Sequence, residues 1–413
     1  MFLLDKEGSV MPEVTPVSSE HVSSHRWGIG SILLALLPLL LLGGLLAFFV
    51  VAGIGLGTRT APPIEELTID RITLPAPDQI IVGVTNGGAD PVTIAQVQVD
   101  DAYWRFTVSP NATIARLGHA TITLPYPWVQ DEAHVVKLVS SNGVTFEGEI
   151  PVATRTPGPD LETFWRYALL GIYVGVVPIG LGLLWYPFLR RLGRSGMQAV
   201  LSLTVGLLVF LLFDTLAEAL EDVGRVPEVF GGAPLVFLIA LLAFLVLIVI
   251  GGSRRKGQAL SRLRVSYLIG LGIGLHNLGE GLAIGAAFAF GNAALGLFLV
   301  IGFTLHNITE GIGIAAPIAR ERPAFWHFVA LAALAGLPAV LGVWIGGFIY
   351  SPLAVVIFLS LGVGAIAQVI YEVGRLIIRQ SAQEQTPLLS LATFGGLVAG
   401  ISIMYATSLL VVA

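Results

Sequence analysis

Hydrophobic residues in this chain gather in long runs with almost no charge, at about 28–56, 164–189, 197–220, 232–251, 265–290, 293–318, 325–350, 353–374 and 388–412. Each run is near the ~20 residues that an α-helix needs to cross roughly 30 Å of hydrocarbon, and the pattern predicts nine membrane helices. The first run, from Trp27 to Leu56, is too long for the apolar core of a secretory signal. It follows Glu7, Glu13 and Glu20 instead of a basic start, so an uncleaved anchor is expected.

Between the first and second runs the period changes. Segments such as Gln79-Ile80-Ile81-Val82-Gly83-Val84, Val92-Thr93-Ile94-Ala95-Gln96-Val97-Gln98-Val99 and Ala120-Thr121-Ile122-Thr123-Leu124 alternate, with turn signals at Asn86-Gly87-Gly88 and Ser141-Asn142-Gly143. This predicts a small β-sandwich of immunoglobulin-like type, by analogy of strand count, flanked by the linkers Ala61-Pro62-Pro63 and Thr156-Pro157-Gly158-Pro159. The expected organisation is a polar tail at 1–27, an anchor at 28–56, the β-domain at 60–158 and an eight-helix bundle at 160–413.

Composition agrees: 55% of the 413 residues are hydrophobic and 12% charged, and the mean hydropathy is +0.85. A soluble enzyme is thereby excluded. With no cysteine, disulfides, thiolate metal sites and thiol nucleophiles are excluded too. The net charge of −5 says less than its placement. Arg190, Arg191 and Arg194, then Arg254, Arg255, Lys256, Arg262 and Arg264, then Arg320 and Arg322, then Arg375 and Arg379 follow every second helix of the bundle. By the positive-inside rule these loops and the N-terminus are cytoplasmic, and the β-domain and the C-terminus extracytoplasmic, in a multi-pass protein of the plasma or inner membrane.

An ionisable side chain near the bilayer centre costs roughly 3 kcal/mol on insertion scales, so each one calls for a partner, a wet cavity or a ligand. The runs hold Asp214, Glu218, Glu280, Glu310 and Glu372, together with His276, His306, Asn277, Asn307 and Gln368, and no Lys or Arg at matching depth. Several carboxylates without a basic partner favour protons or an exogenous cation. The sharpest signal is a repeat: His276-Asn277-Leu278-Gly279-Glu280-Gly281 and His306-Asn307-Ile308-Thr309-Glu310-Gly311 both read H-N-x-x-E-G. On a helix, His and Glu at i and i+4 lie about 40° apart and the Asn lies within about 100° of the His, so all three line one face. The short link at Gly291 and Asn292 makes the two helices antiparallel neighbours, on which six ligand groups can converge. Taken singly, a buried His or Glu is as readily a packing residue, and the glycines around these motifs read first as close helix packing. Imidazole, carboxylate and amide oxygen without thiolate suit zinc, ferrous iron or manganese.

These motifs resemble the ZIP family of divalent metal transporters, whose fourth and fifth helices carry H-N/S-x-x-D/E-G and H-N/E-x-P-E-G around a transport site. The resemblance covers about 160–413 and implies an eight-helix ZIP-like bundle, with the anchor and the β-domain as additions. It implies metal ligands at His276, Asn277 and Glu280 and at His306, Asn307 and Glu310. It also implies transport-pathway positions at Asp214, with Glu218 beside it, and at Gln368 and Glu372. The sequence departs from the pattern at Thr309, where the family has proline, and at Leu337-Pro338, where a sixth-helix Glu is usual. The second departure implies one main metal site.

The expected function is transport of a divalent cation, zinc first and iron or manganese next, towards the cytoplasm, with no enzymatic activity. Uptake is expected to weaken at acid pH, because ligands must shed protons to bind metal. The alternative is an intramembrane metal-dependent hydrolase, against which stands the lack of an H-E-x-x-H pair. A receptor built on the β-domain would leave the polar helices unexplained. The partners expected are the metal ion and the lipid bilayer, with no nucleic acid; a homodimer is allowed for, and the ligand of the β-domain is left open.

Overall fold

The computed structural model describes residues 29–52, 65–252, 261–290 and 293–412. The polar tail, Pro62 and Pro63, the cluster Arg254-Arg255-Lys256, and Gly291 with Asn292 lie outside the described residues. Two compact units are present, residues 1–62 and 63–413. The first contributes α1 (Ile29–Ala52), an apolar helix of 24 residues with Pro38 inside it.

The second unit begins with nine strands: β1 (Leu67–Ala76), β2 (Gln79–Asn86), β3 (Val92–Val99), β4 (Ala102–Trp104), β5 (Thr107–Ser109), β6 (Thr113–Ile114), β7 (His119–Leu124), β8 (His134–Ser140) and β9 (Thr145–Ile150). They form two antiparallel sheets, ordered β1-β2-β7-β5 and β4-β3-β8-β9, with β6 paired to β3. This is the strand order of an immunoglobulin-type sandwich. Alternate residues of β8 are buried, as the period-2 pattern requires. Fully buried apolar side chains such as Val82 and Leu138 fill the space between the sheets.

The bundle follows. Its first span, Leu161–Leu189, is composite: α2 (Leu161–Gly171), a π-helical turn at Ile172–Val176, α3 (Val177–Leu183) and α4 (Tyr186–Leu189). Then come α5 (Arg194–Asp222), α6 (Ala233–Gly252), α7 (Arg262–Ala289), α8 (Ala293–Ala315), α9 (Phe325–Trp344) with a second π turn at Ile345–Ile349, α10 (Pro352–Glu384) and α11 (Leu391–Val412). Among the described residues eight helices are long and apolar enough to cross a membrane. The chain is a multi-pass membrane protein.

Burial ranks the helices. The apolar window of α7 is 83% buried, against 22% for those of α6 and α11, so α7 is the centre of the bundle and the other two face lipid. The helix pairs α7/α9, α3/α8 and α2/α9 pack closely on one side, and α5/α11, α5/α10 and α6/α10 on the other; α10 also packs against α7. Small residues permit this contact. A Cβ at Gly281 of α7 would lie 2.1 Å from the Ala339 carbonyl oxygen of α9, and one at Gly342 of α9 would lie 2.1 Å from the Leu278 carbonyl of α7. With no room for a side chain at either position, α7 and α9 meet backbone to backbone beside the first polar motif.

Candidate metal centre

Both motifs fall inside continuous helices, the first in α7 and the second in α8, and all six polar side chains are buried. His276, Glu280 and His306 come together, each with a ligand atom within 4.8 Å of the others. Glu280 is the hub. Its Oε1 faces Nε2 of His276 at 3.0 Å and contacts Nε2 of His306, and its Oε2 accepts a hydrogen bond from Asn307 Nδ2 at 3.2 Å. Thr215 of α5 adds its hydroxyl 3.3 Å from Nδ1 of His276. With Nε2–H turned to Glu280, a neutral His276 ring accepts from that hydroxyl at Nδ1.

The two asparagines are held from outside the cluster. Asn277 Nδ2 donates to the Ala335 carbonyl of α9 at 2.9 Å, and Asn307 Nδ2 donates to Val174 in the first π turn at 3.0 Å. Donation to a carbonyl fixes which end of each amide is nitrogen, and so which is oxygen. Both Oδ1 atoms, and both carboxylate oxygens of Glu310, are buried without a hydrogen-bond partner. Buried acceptors are ordinarily satisfied, because leaving one without a donor costs about 1–3 kcal/mol. A set of orphaned oxygens beside two imidazoles and a carboxylate is suited to a cation, which needs acceptors alone.

The remaining sequence-derived positions lie elsewhere. Asp214 and Glu218 are exposed on α5, next to and one turn beyond Thr215, on the side of the bundle that carries the sandwich. Gln368 and Glu372 of α10 are buried, and neither side-chain amide atom of Gln368 has a partner. A Cβ at Gly251 would lie 3.7 Å from Glu372 Oε1, 3.9 Å from Gln368 Nε2 and 3.5 Å from Leu268. Leu268 precedes His276 by eight residues of α7, so this pair sits about 12 Å along the helix from the His-Glu cluster. It forms a separate polar position towards the first turns of α7.

The departures from the family pattern have a structural form. At Thr309 the helix runs on unbroken, and the Thr hydroxyl donates to the His306 carbonyl at 2.6 Å in place of a proline break. Leu337 is 48% exposed and presents no ligand to the cluster. Sequence reasoning missed Thr215, although the segment around Asp214 had drawn attention, and the Val174 carbonyl. No periodicity marks a hydroxyl whose partner lies 61 residues away.

Comparison with known families adds a match in sequence. The family model described as ZIP Zinc transporter matches residues 251–370, the stretch that holds both motifs. Over those residues, and with its eight apolar helices, the chain is similar to the ZIP family. The match is narrower than the 160–413 over which the motifs and helix order resemble the family, and it leaves out the sandwich, α2 to α5, nearly all of α6, the end of α10 with Glu372, and α11. No curated protein matches the chain. The family is one of divalent metal transporters and not of enzymes.

Proposed function

We propose that the protein carries a divalent cation, zinc before iron or manganese, from the extracytoplasmic side towards the cytoplasm through the buried His-Asn-Glu site. His276, Glu280 and His306 would supply the first ligands, and Asn277, Asn307 and Glu310 the oxygens that complete the shell as water is stripped. Two imidazoles and a carboxylate form a donor set that zinc accepts, and the further oxygens suit a six-coordinate ion. The observation that carries the reading is the group of buried, donor-less oxygens beside a His-Glu-His cluster.

Asp214 and Glu218 would attract the ion before it reaches the site, and Gln368 and Glu372 would receive it afterwards. The positive-inside rule supports an orientation with the sandwich outside and the N-terminus in the cytoplasm, and inward movement is our proposal for that orientation. No step of this path needs a nucleotide, and the ion's own gradient drives it. Assembly as a homodimer is an expectation for mass measurement in detergent.

Uptake into proteoliposomes tests the function. The intact protein is expected to accumulate zinc, and Glu280→Ala with Glu310→Ala to abolish uptake while the purified variant stays monodisperse. Undiminished uptake by that variant would overturn the assignment of the site.

A further inference from the structure

Among the described residues the sandwich contacts the bundle at the end of α9 and at the loop between α5 and α6. Arg71 of β1 donates from Nη1 to the Phe348 carbonyl at 3.0 Å and from Nη2 to the Gly347 carbonyl at 3.3 Å. These carbonyls end the π turn that closes α9, where a cation also meets the negative end of the helix dipole. Burial lowers the pKa of Arg71, and the guanidinium nevertheless remains charged. The second point is the loop between α5 and α6. Glu66 Oε1 accepts the backbone N–H of Glu228 at 2.7 Å, and Gly87 lies so close to Pro227 that a Cβ on the glycine would fall 2.5 Å from the proline Cβ.

Between these contacts lies a cavity of about 730 Å³, roofed by β1 and β9 and floored by α5 and α7. Carboxylates from both sides face it, among them Asp70 and Glu147 of the sandwich and Glu218 and Asp222 of α5. Burial raises Asp70 above the ordinary carboxylate range, and the hydrogen bond from Thr85 offsets part of that. The cavity follows α7 from Phe290 down to Gly279, the residue before Glu280. It is thus a vestibule that stops at the turn carrying the hub of the cluster.

We propose that the β-sandwich is a brace across this vestibule, tying the α7–α9 side of the bundle to the α5–α6 side, with Arg71 as its releasable contact. The inference rests on the transport reading, since alternating exposure of a buried site requires one helix group to move against the other. The second contact combines the Glu66–Glu228 hydrogen bond with close packing of Gly87 on Pro227, whereas the Arg71 contact is a pair of hydrogen bonds from one long, part-buried side chain. Close packing backs the second contact, so when the groups shift the Arg71 contact gives way first. The sandwich therefore sets how often the vestibule changes shape.

The absence of cysteine makes a direct test clean. Spin labels at Ile349→Cys and Val229→Cys, both exposed, report the distance between the end of α9 and the α5–α6 loop by pulsed electron resonance. The braced protein is expected to give one narrow main distance with a small second population. Arg71→Ala is expected to broaden it, raising the share of the minor distance on the order of threefold, as loss of a charge-assisted contact allows. Arg71→Lys, which keeps one donor and the charge, is expected to fall between. In proteoliposomes Arg71→Ala should raise the maximal zinc uptake rate and leave the half-saturating concentration unchanged. An unchanged distribution in a folded Arg71→Ala protein, or a fall in its maximal rate, would overturn the brace. The distance measurement needs no transport, so failure of the brace is distinct from failure of the transport reading, which would show as no uptake by the unaltered protein.

Discussion

The Thr215 hydroxyl and the Glu280 carboxylate grip opposite nitrogens of one imidazole, and together they fix the ring plane and the tautomer of His276. A partner such as Thr215 would orient a ligand without touching the ion, and loss of one typically costs 10–100-fold in metal affinity. Thr215→Val keeps the shape and removes the hydroxyl. We expect it to weaken zinc binding by about tenfold at the low end of that range, read by equilibrium binding to purified protein, with no loss of folded material. An unchanged affinity would assign Thr215 to packing alone. Asn277 and Asn307 differ from Thr215 in that each amide is anchored through nitrogen on a neighbouring backbone, which leaves its oxygen free of that contact.

Among the helices, α7 and α9 define the scaffold of the site. Because a Cβ at Gly281 meets the Ala339 carbonyl at 2.1 Å, Gly281→Ala must force the two helices apart. The expected cost is about 1–3 kcal/mol, as for other overpacked interiors, visible as a lower melting temperature in detergent. Gly180→Ala in α3 is the control. Nothing lies within 4 Å of a Cβ there, and the change is expected to be neutral or to stabilise by up to about 1 kcal/mol through helix propensity. At this scale much was legible in advance. The eight bundle helices follow from run length, the strands from alternation, and the pairing of the two motifs from the short link between their helices. The π turns at Ile172–Val176 and Ile345–Ile349 were not legible, since their sequences are as apolar as the α-helix around them and the turn is set by what packs outside. Nor was the Arg71 contact, whose two ends are 277 and 276 residues apart and join only when the sandwich and the bundle are both folded.

At the scale of the second unit, three polar positions follow one another along α7. The sandwich and acidic vestibule lie on one side and the His-Asn-Glu cluster in the middle. The Gln368–Glu372 position lies towards the first turns of α7. The family match supports metal transport and covers residues 251–370, with both motifs inside it. Anomalous scattering from crystals grown with zinc addresses the centre of the account most directly. The account predicts a zinc peak among His276, His306 and Glu280, about 2.0–2.2 Å from their ligand atoms, with the Asn277, Asn307 and Glu310 oxygens turned towards it. Zinc confined to the vestibule carboxylates in the native protein, with the buried cluster left metal-free at saturating zinc, would contradict it.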